Sequence, residues 1–127
     1  MEHRLYPRVP VQISAVVTTE EGSQYEVIMV DVSTDGLGIK CNAQHWNMIT
    51  PNGSFVRDGR LVSVVVEFKL PERESLSFNI AVKCRVAYSR RVSRDQFRIG
   101  FRFVDINPES QKQLFEFIKD FGSQSHA

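Results

Sequence analysis

From residue 11 onward, apolar and polar residues mostly alternate. Val11, Ile13, Ala15 and Val17 interleave with Gln12 and Ser14. In 61–69, Val62, Val64, Val66 and Phe68 share one face. In 76–88, Leu76, Phe78, Ile80, Val82, Cys84, Val86 and Tyr88 share one face, against Ser77, Asn79, Lys83 and Arg85 on the other. In 97–103, Phe97, Ile99, Phe101 and Phe103 oppose Arg98, Gly100 and Arg102. A period of two is the strand signal. One apolar and one polar face suit antiparallel pairing. The strand over 76–88 is long enough that a bend or bulge is expected.

The pattern is less regular elsewhere. Residues 24–32, QYEVIMVDV, are apolar on both faces in the middle, as a central or barrel strand is. Thr34-Asp35-Gly36 breaks the run, and Leu37 to Cys41 resume it. Residues 42–60 carry Pro51, Gly53 and Gly59, with a short helix expected near Ala43–Met48. Asn107, Pro108 and Glu109 provide a cap, a first-turn proline and an acid for the helix dipole. Leu114, Phe115, Ile118 and Phe121 form the apolar stripe of that helix, and Gly122 can end it.

Six strands followed by one helix imply a mostly-β domain. The form expected is a small antiparallel barrel with a helical lid. Before it, residues 1–10 contain Pro7 and Pro10, which keep Tyr6 and Val9 out of helical angles. These residues are expected to form a flexible arm. The barrel and its helix then occupy 11–121, and 122–127 is a polar tail.

Composition adds limits. The 127 residues suffice for one domain. With 42% hydrophobic and 24% charged residues, the chain needs no disulfide or metal staple. Cys41 and Cys84 lie in strand-like runs and read as buried thiols. The charged, proline-containing N-terminus is no signal peptide, and no apolar run is long enough to cross a membrane. A cytoplasmic protein without membrane insertion is expected. Net charge is +1, which argues against a nucleic-acid polymer as ligand. Yet residues 85–102 hold Arg85, Arg90, Arg91, Arg94, Arg98 and Arg102 against Asp95 alone.

Two features carry candidate chemistry. Arg4-Leu5-Tyr6-Pro7-Arg8 is an RxxxR, and Asp31 to Gly36 is a DxSxxG between two strands. The first is common. The second arises by chance in roughly one chain of this length in a few tens. Arginine offers a planar fork of donors that matches phosphate oxygens or the O6/N7 edge of guanine. Asp31 can accept from guanine N–H groups, and Ser33 can donate or accept nearby. Gly36 leaves room for a flat base and is free to take positive φ. If extended, Arg4 and Arg8 lie at most ~13 Å apart at Cα, so their side chains can converge on one compact dianion.

With RLYPRVPV, DVSTDGLGI, VAY, RIGFRF and the final helix, the chain resembles the PilZ domain family over nearly its whole length. The resemblance implies a six-stranded antiparallel β-barrel with a C-terminal α-helix. It implies cyclic di-GMP as ligand, with no cofactor and no metal. By the same resemblance Arg4 and Arg8 grip phosphate and guanine, and Asp31, Ser33 and Gly36 hold the other face. Tyr88 stands where the family often stacks an aromatic on guanine, although its alternation places it with the core. Gly100 marks either a close ligand approach or a strand bulge. His3 stands where many relatives carry another arginine, a position tied to ligand stoichiometry.

Catalysis finds little support. His3, His45 and His126 are scattered, and there is no phosphate-cradling glycine loop. The function expected is therefore a receptor whose ligand orders the arm and signals to an effector protein or a second copy of the chain. Two rivals remain. One is a nucleic-acid-binding barrel using the Arg85–Arg102 hairpin. The other is a protein-interaction module that binds no ligand.

Overall fold

The computed structural model describes residues 8–73 and 76–124. Six long strands close into one barrel. They are β1 (Val9–Thr19), β2 (Gln24–Val32), β3 (Gly36–Cys41), β6 (Ser63–Arg73), β7 (Leu76–Ser93) and β8 (Gln96–Asp105). A separate hairpin pairs β4 (Val56–Arg57) with β5 (Arg60–Leu61), and the helices are α1 (Ala43–Ile49) and α2 (Pro108–Gln124). The barrel order is β1-β2-β3-β8-β7-β6, antiparallel throughout. The expected fold class is therefore the observed one.

Inward positions follow the alternation closely. Val17, Met29, Ile39, Val66 and Ile99 are fully buried, one from each of five strands, and β7 adds Val82. Val62, Val64, Val66 and Phe68 are all buried, as their spacing requires. β1 begins at Val9, which is buried and pairs with Val32.

Helix α2 starts as expected, with the Asn107 side chain accepting from the Ser110 N–H at 2.7 Å. Its buried face is shifted from the expected stripe. Leu114, Phe117 and Ile118 are buried, whereas Phe115 is 49% exposed. Phe121 is 38% exposed and packs its ring 4.3 Å from Phe117. The face toward the barrel is thus centred on Leu114 and Ile118, with Phe117 completing the turn. Phe78, expected in the core, is 37% exposed although it pairs with buried Leu70.

Helix α1 is short, and Asn42 caps it by accepting from the His45 N–H. Its Trp46 stacks on Phe97 at 4.3 Å and donates from Nε1 to Ser89 Oγ at 2.6 Å. This fixes α1 over the far end of the β7–β8 hairpin. Asp95 adds a second tie by accepting from the Ala43 N–H at 2.9 Å.

Two β-bulges reshape the outer face of the barrel. Between β2 and β3 the register passes from Met29↔Ile39 to Asp31↔Gly38, which leaves Val30 unpaired. Between β7 and β8 it passes from Val86↔Phe101 to Tyr88↔Gly100, which leaves Ala87 unpaired. An extra residue reverses the alternation beyond it. Asp31 and Tyr88 would otherwise point inward with Met29 and Val86. Each is instead turned to the outer face.

Candidate functional site

The outer face of four adjacent strands holds a continuous row. Asp31 on β2 is opposite Gly38 on β3, Gly38 is opposite Gly100 on β8, and Gly100 is opposite Tyr88 on β7. The two central positions lack side chains, and the flanking ones fold over them. A Cβ at Gly38 would lie 2.9 Å from Asp31 Oδ1. A Cβ at Gly100 would lie 2.0 Å from Tyr88 Cε1. The row is therefore a glycine floor with a carboxylate over one end and an aromatic ring over the other.

Arg8 closes the carboxylate end. Its Nη1 donates to Asp31 Oδ1 at 2.6 Å, and the two side chains are only 25% and 21% exposed. The neighbouring pair Pro10↔Asp31 in β1–β2 brings the start of β1 to this point. Arg8 and Asp31, singled out from separate motifs, are thus in contact. Arg4 and His3 lie outside the described residues.

The rest of the DxSxxG turn is built inward. Ser33 is 1% exposed. Its N–H donates to the Gly36 carbonyl at 2.8 Å, and its hydroxyl donates to Asp35 Oδ1 at 2.5 Å. The Asp35 carbonyl in turn accepts from the Phe103 N–H at 2.9 Å, which pins the turn to β8. Gly36 does not adopt positive φ; Gly22, Gly53 and Gly59 do. Its need is space: a Cβ there would lie 2.3 Å from the Phe101 carbonyl oxygen. The conformational reason expected for Gly36 is thus replaced by close approach of two strands.

Tyr88 departs from its alternation, and Gly100 stands beside a strand bulge, one of the two roles expected for it. The bulge is at Ala87, unpaired between Val86↔Phe101 and Tyr88↔Gly100, and it takes Tyr88 out of the core to a half-buried outer position. Gly100 serves to receive the tyrosine ring. Gly38 is a member of the row that the motif reading missed. Its signal was an outward-facing glycine between the inward pair Leu37 and Ile39.

Among the described residues no three His, Cys, Asp or Glu side chains group as metal ligands. Cys84 is buried, Cys41 is half-buried, and both are free thiols. Burial pushes Cys84 up to about 12 and Cys41 up to about 11, so neither supplies a thiolate near neutral pH. Among the described residues no helix is long and apolar enough to cross a membrane. The row offers hydrogen-bonding groups at both ends, the Arg8–Asp31 pair at one and the Tyr88 phenol at the other.

A family model for the PilZ domain matches residues 2–120. Inhibitor of motility MotI/DgrA of Bacillus subtilis superposes with a TM-score of 0.76 at 15% identity, over 100% of this chain and 55% of that one. The PilZ domain of YcgR from Escherichia coli, solved with c-di-GMP, superposes with a TM-score of 0.60 at 14% identity, over 98% and 95% of the two chains. The MrkH–c-di-GMP complex of K. pneumonia superposes with a TM-score of 0.66 at 12% identity, over 99% and 55%. The chain spans about half the length of MotI and MrkH (55% of each) but nearly all of the YcgR domain. A search of curated protein sequences finds no match.

Proposed function

This chain belongs to the PilZ domain family, and from that premise we propose that it is a receptor for cyclic di-GMP rather than an enzyme. The carrying observation is the contact of Arg8 with Asp31 at one end of the glycine floor. That floor is two glycines without side chains, each covered by a neighbour, and a base reaching it as Tyr88 swings clear meets a carboxylate on one side and a tyrosine ring on the other. Similarity to c-di-GMP-bound YcgR and MrkH supports the choice of ligand.

In this reading Arg8 leaves Asp31 for a ligand phosphate or a guanine edge. Asp31 then accepts from guanine N1–H and N2–H₂. Arg4 supplies a second guanidinium and His3 flanks it. Ser33 joins when its hydroxyl turns from Asp35 to the ligand, and Gly36 keeps the turn close to β8. Tyr88 swings from Gly100 to stack on the base. Ligand contacts offset the entropy of ordering the arm, about 1–2 kcal/mol per residue. The ordered arm changes the surface offered to an effector protein.

Calorimetry with cyclic di-GMP tests the reading. Micromolar or tighter binding, abolished in Arg8→Ala and weakened in Asp31→Ala, is expected. Absence of binding to the wild-type chain overturns it. Amide exchange with and without nucleotide tests arm ordering separately: equal protection of residues 1–8 in both states refutes that part.

A further inference from the structure

The strands that carry the glycine floor also carry charges that work against the sheet. On the outer face Arg85 is directly opposite Arg102, Arg90 is opposite Arg98, and Arg98 is opposite Lys40. Like charges in direct cross-strand register destabilise a sheet. None of these five side chains joins the ion pairs seen among the described residues, such as Arg8–Asp31, Arg57–Glu21 and Arg60–Glu20. The single acid of the 85–102 run, Asp95, is engaged at the start of α1. Folding gains nothing from such an arrangement.

The cations form two rows. Arg85 and Arg102 lie on one side of the Tyr88–Gly100–Gly38 row; Arg90, Arg98 and Lys40 lie on the other. Along β8 the rows are four residues apart, about 13 Å. The β7–β8 hairpin that presents four of them is tied down by hydrogen bonds. Arg91 donates to the Ser93 and Arg94 carbonyls at its tip, and Trp46 bonds Ser89 beside it.

We propose that this face docks an acidic segment of a partner protein, with carboxylates laid along the two cationic rows. Charge complementarity selects the partner class. A nucleic-acid strand fits less well, because strand binding uses a succession of stacking rings. Here Tyr88 is the one aromatic in the row, and it is folded onto Gly100. The patch is also bounded: Glu26 lies on β2, and Asp105 ends β8 opposite Lys83. A bounded patch matches a local acidic cluster better than a continuous polyanion. Docking here is independent of the nucleotide reading, since its test uses the protein without nucleotide.

The test is fluorescence anisotropy with a labelled peptide of glutamates spaced by glycine and serine, at low and physiological salt. The full wild-type chain should bind it, more weakly as salt rises. Arg90→Glu with Arg98→Glu, and separately Arg85→Glu with Arg102→Glu, should each weaken binding about tenfold or more. Arg60→Glu with Lys112→Glu makes the same change in net charge elsewhere and should leave binding near wild type. Arg90→Gln with Arg98→Gln relieves the like-charge contact, so it should melt at or above the wild-type temperature while losing the peptide. The proposal is overturned if the wild type does not bind at low salt, or if the charge-matched control loses as much as the patch variants. It is also overturned if the glutamine variant loses peptide only together with stability, or if an oligothymidylate of equal charge binds more tightly than the peptide.

Discussion

The Arg8 guanidinium rests on the Asp31 carboxylate at 2.6 Å, across 23 positions of chain. Each group is thereby held ready, and each is also occupied. A ligand that takes both must first separate them. With both side chains about a quarter exposed, the contact is worth about 0.5–1 kcal/mol.

A double-mutant cycle of Arg8→Gln and Asp31→Asn, read by chemical denaturation, should return a coupling of about 0.5–1 kcal/mol. For cyclic di-GMP the same substitutions should act unequally. Loss of Arg8 should remove binding. Loss of Asp31 should be partly offset, because Arg8 is then free. Equal losses in calorimetry would show that the pair does not compete with the ligand.

The two floor glycines should fail in different ways. In Gly38→Ala the new methyl meets the Asp31 carboxylate, so the Arg8–Asp31 contact is displaced. In Gly100→Ala the methyl meets the Tyr88 ring, which must lift off the floor. Both should weaken cyclic di-GMP binding, by about tenfold for a displaced charged hydrogen bond. Only Gly100→Ala should change the tyrosine near-ultraviolet dichroism of the free protein. If both variants bind as wild type, the row is not the ligand floor.

The buried thiols set an alkaline limit. The folded values of about 11 and 12 lie above the ordinary 9.0, so the protonated thiol is favoured in the fold. Their contribution is complete below pH 9 and declines as pH rises toward those values. Denaturation midpoints should fall over this range. Cys84→Ala should begin less stable, through its cavity, but should fall less steeply between about pH 9 and 12. Parallel curves would mean that the Cys84 thiol does not titrate late.

Nucleotide and acidic peptide should oppose one another. A dianion on the floor lies between the two cationic rows and lowers their potential. Saturating cyclic di-GMP should therefore weaken glutamate-peptide binding in the anisotropy assay. By linkage, peptide should weaken nucleotide binding by the same factor. Independent binding would separate the two surfaces.

The strands and their inward residues were legible because one face of each is buried and period two repeats over many positions. Val62 to Phe68 is the plainest case. The helix start was legible from Asn107, since a cap is a local feature. Alternation misleads at Asp31 and Tyr88, because a bulge is one unpaired residue and carries no composition of its own. The shifted face of α2 escaped for a related reason: Leu114, Phe115, Phe117, Ile118 and Phe121 are all apolar, so the pattern does not say which of them faces inward. The motif residues Arg8 and Asp31 could be named from spacing. Their contact, and the opposition of Arg90 to Arg98, depend on strand register, which only pairing reveals.

Closure of the six-stranded sheet leaves each of its strands with a neighbour on both sides. Where two strands are in register, their backbone amides and carbonyls are already engaged and are not offered for another chain to extend. Along those paired stretches recruitment by added strands is denied, and so is a common route to aggregation. Whatever this protein engages there must be recognised through side chains, which point mutations can remove one at a time without dismantling the wall behind them.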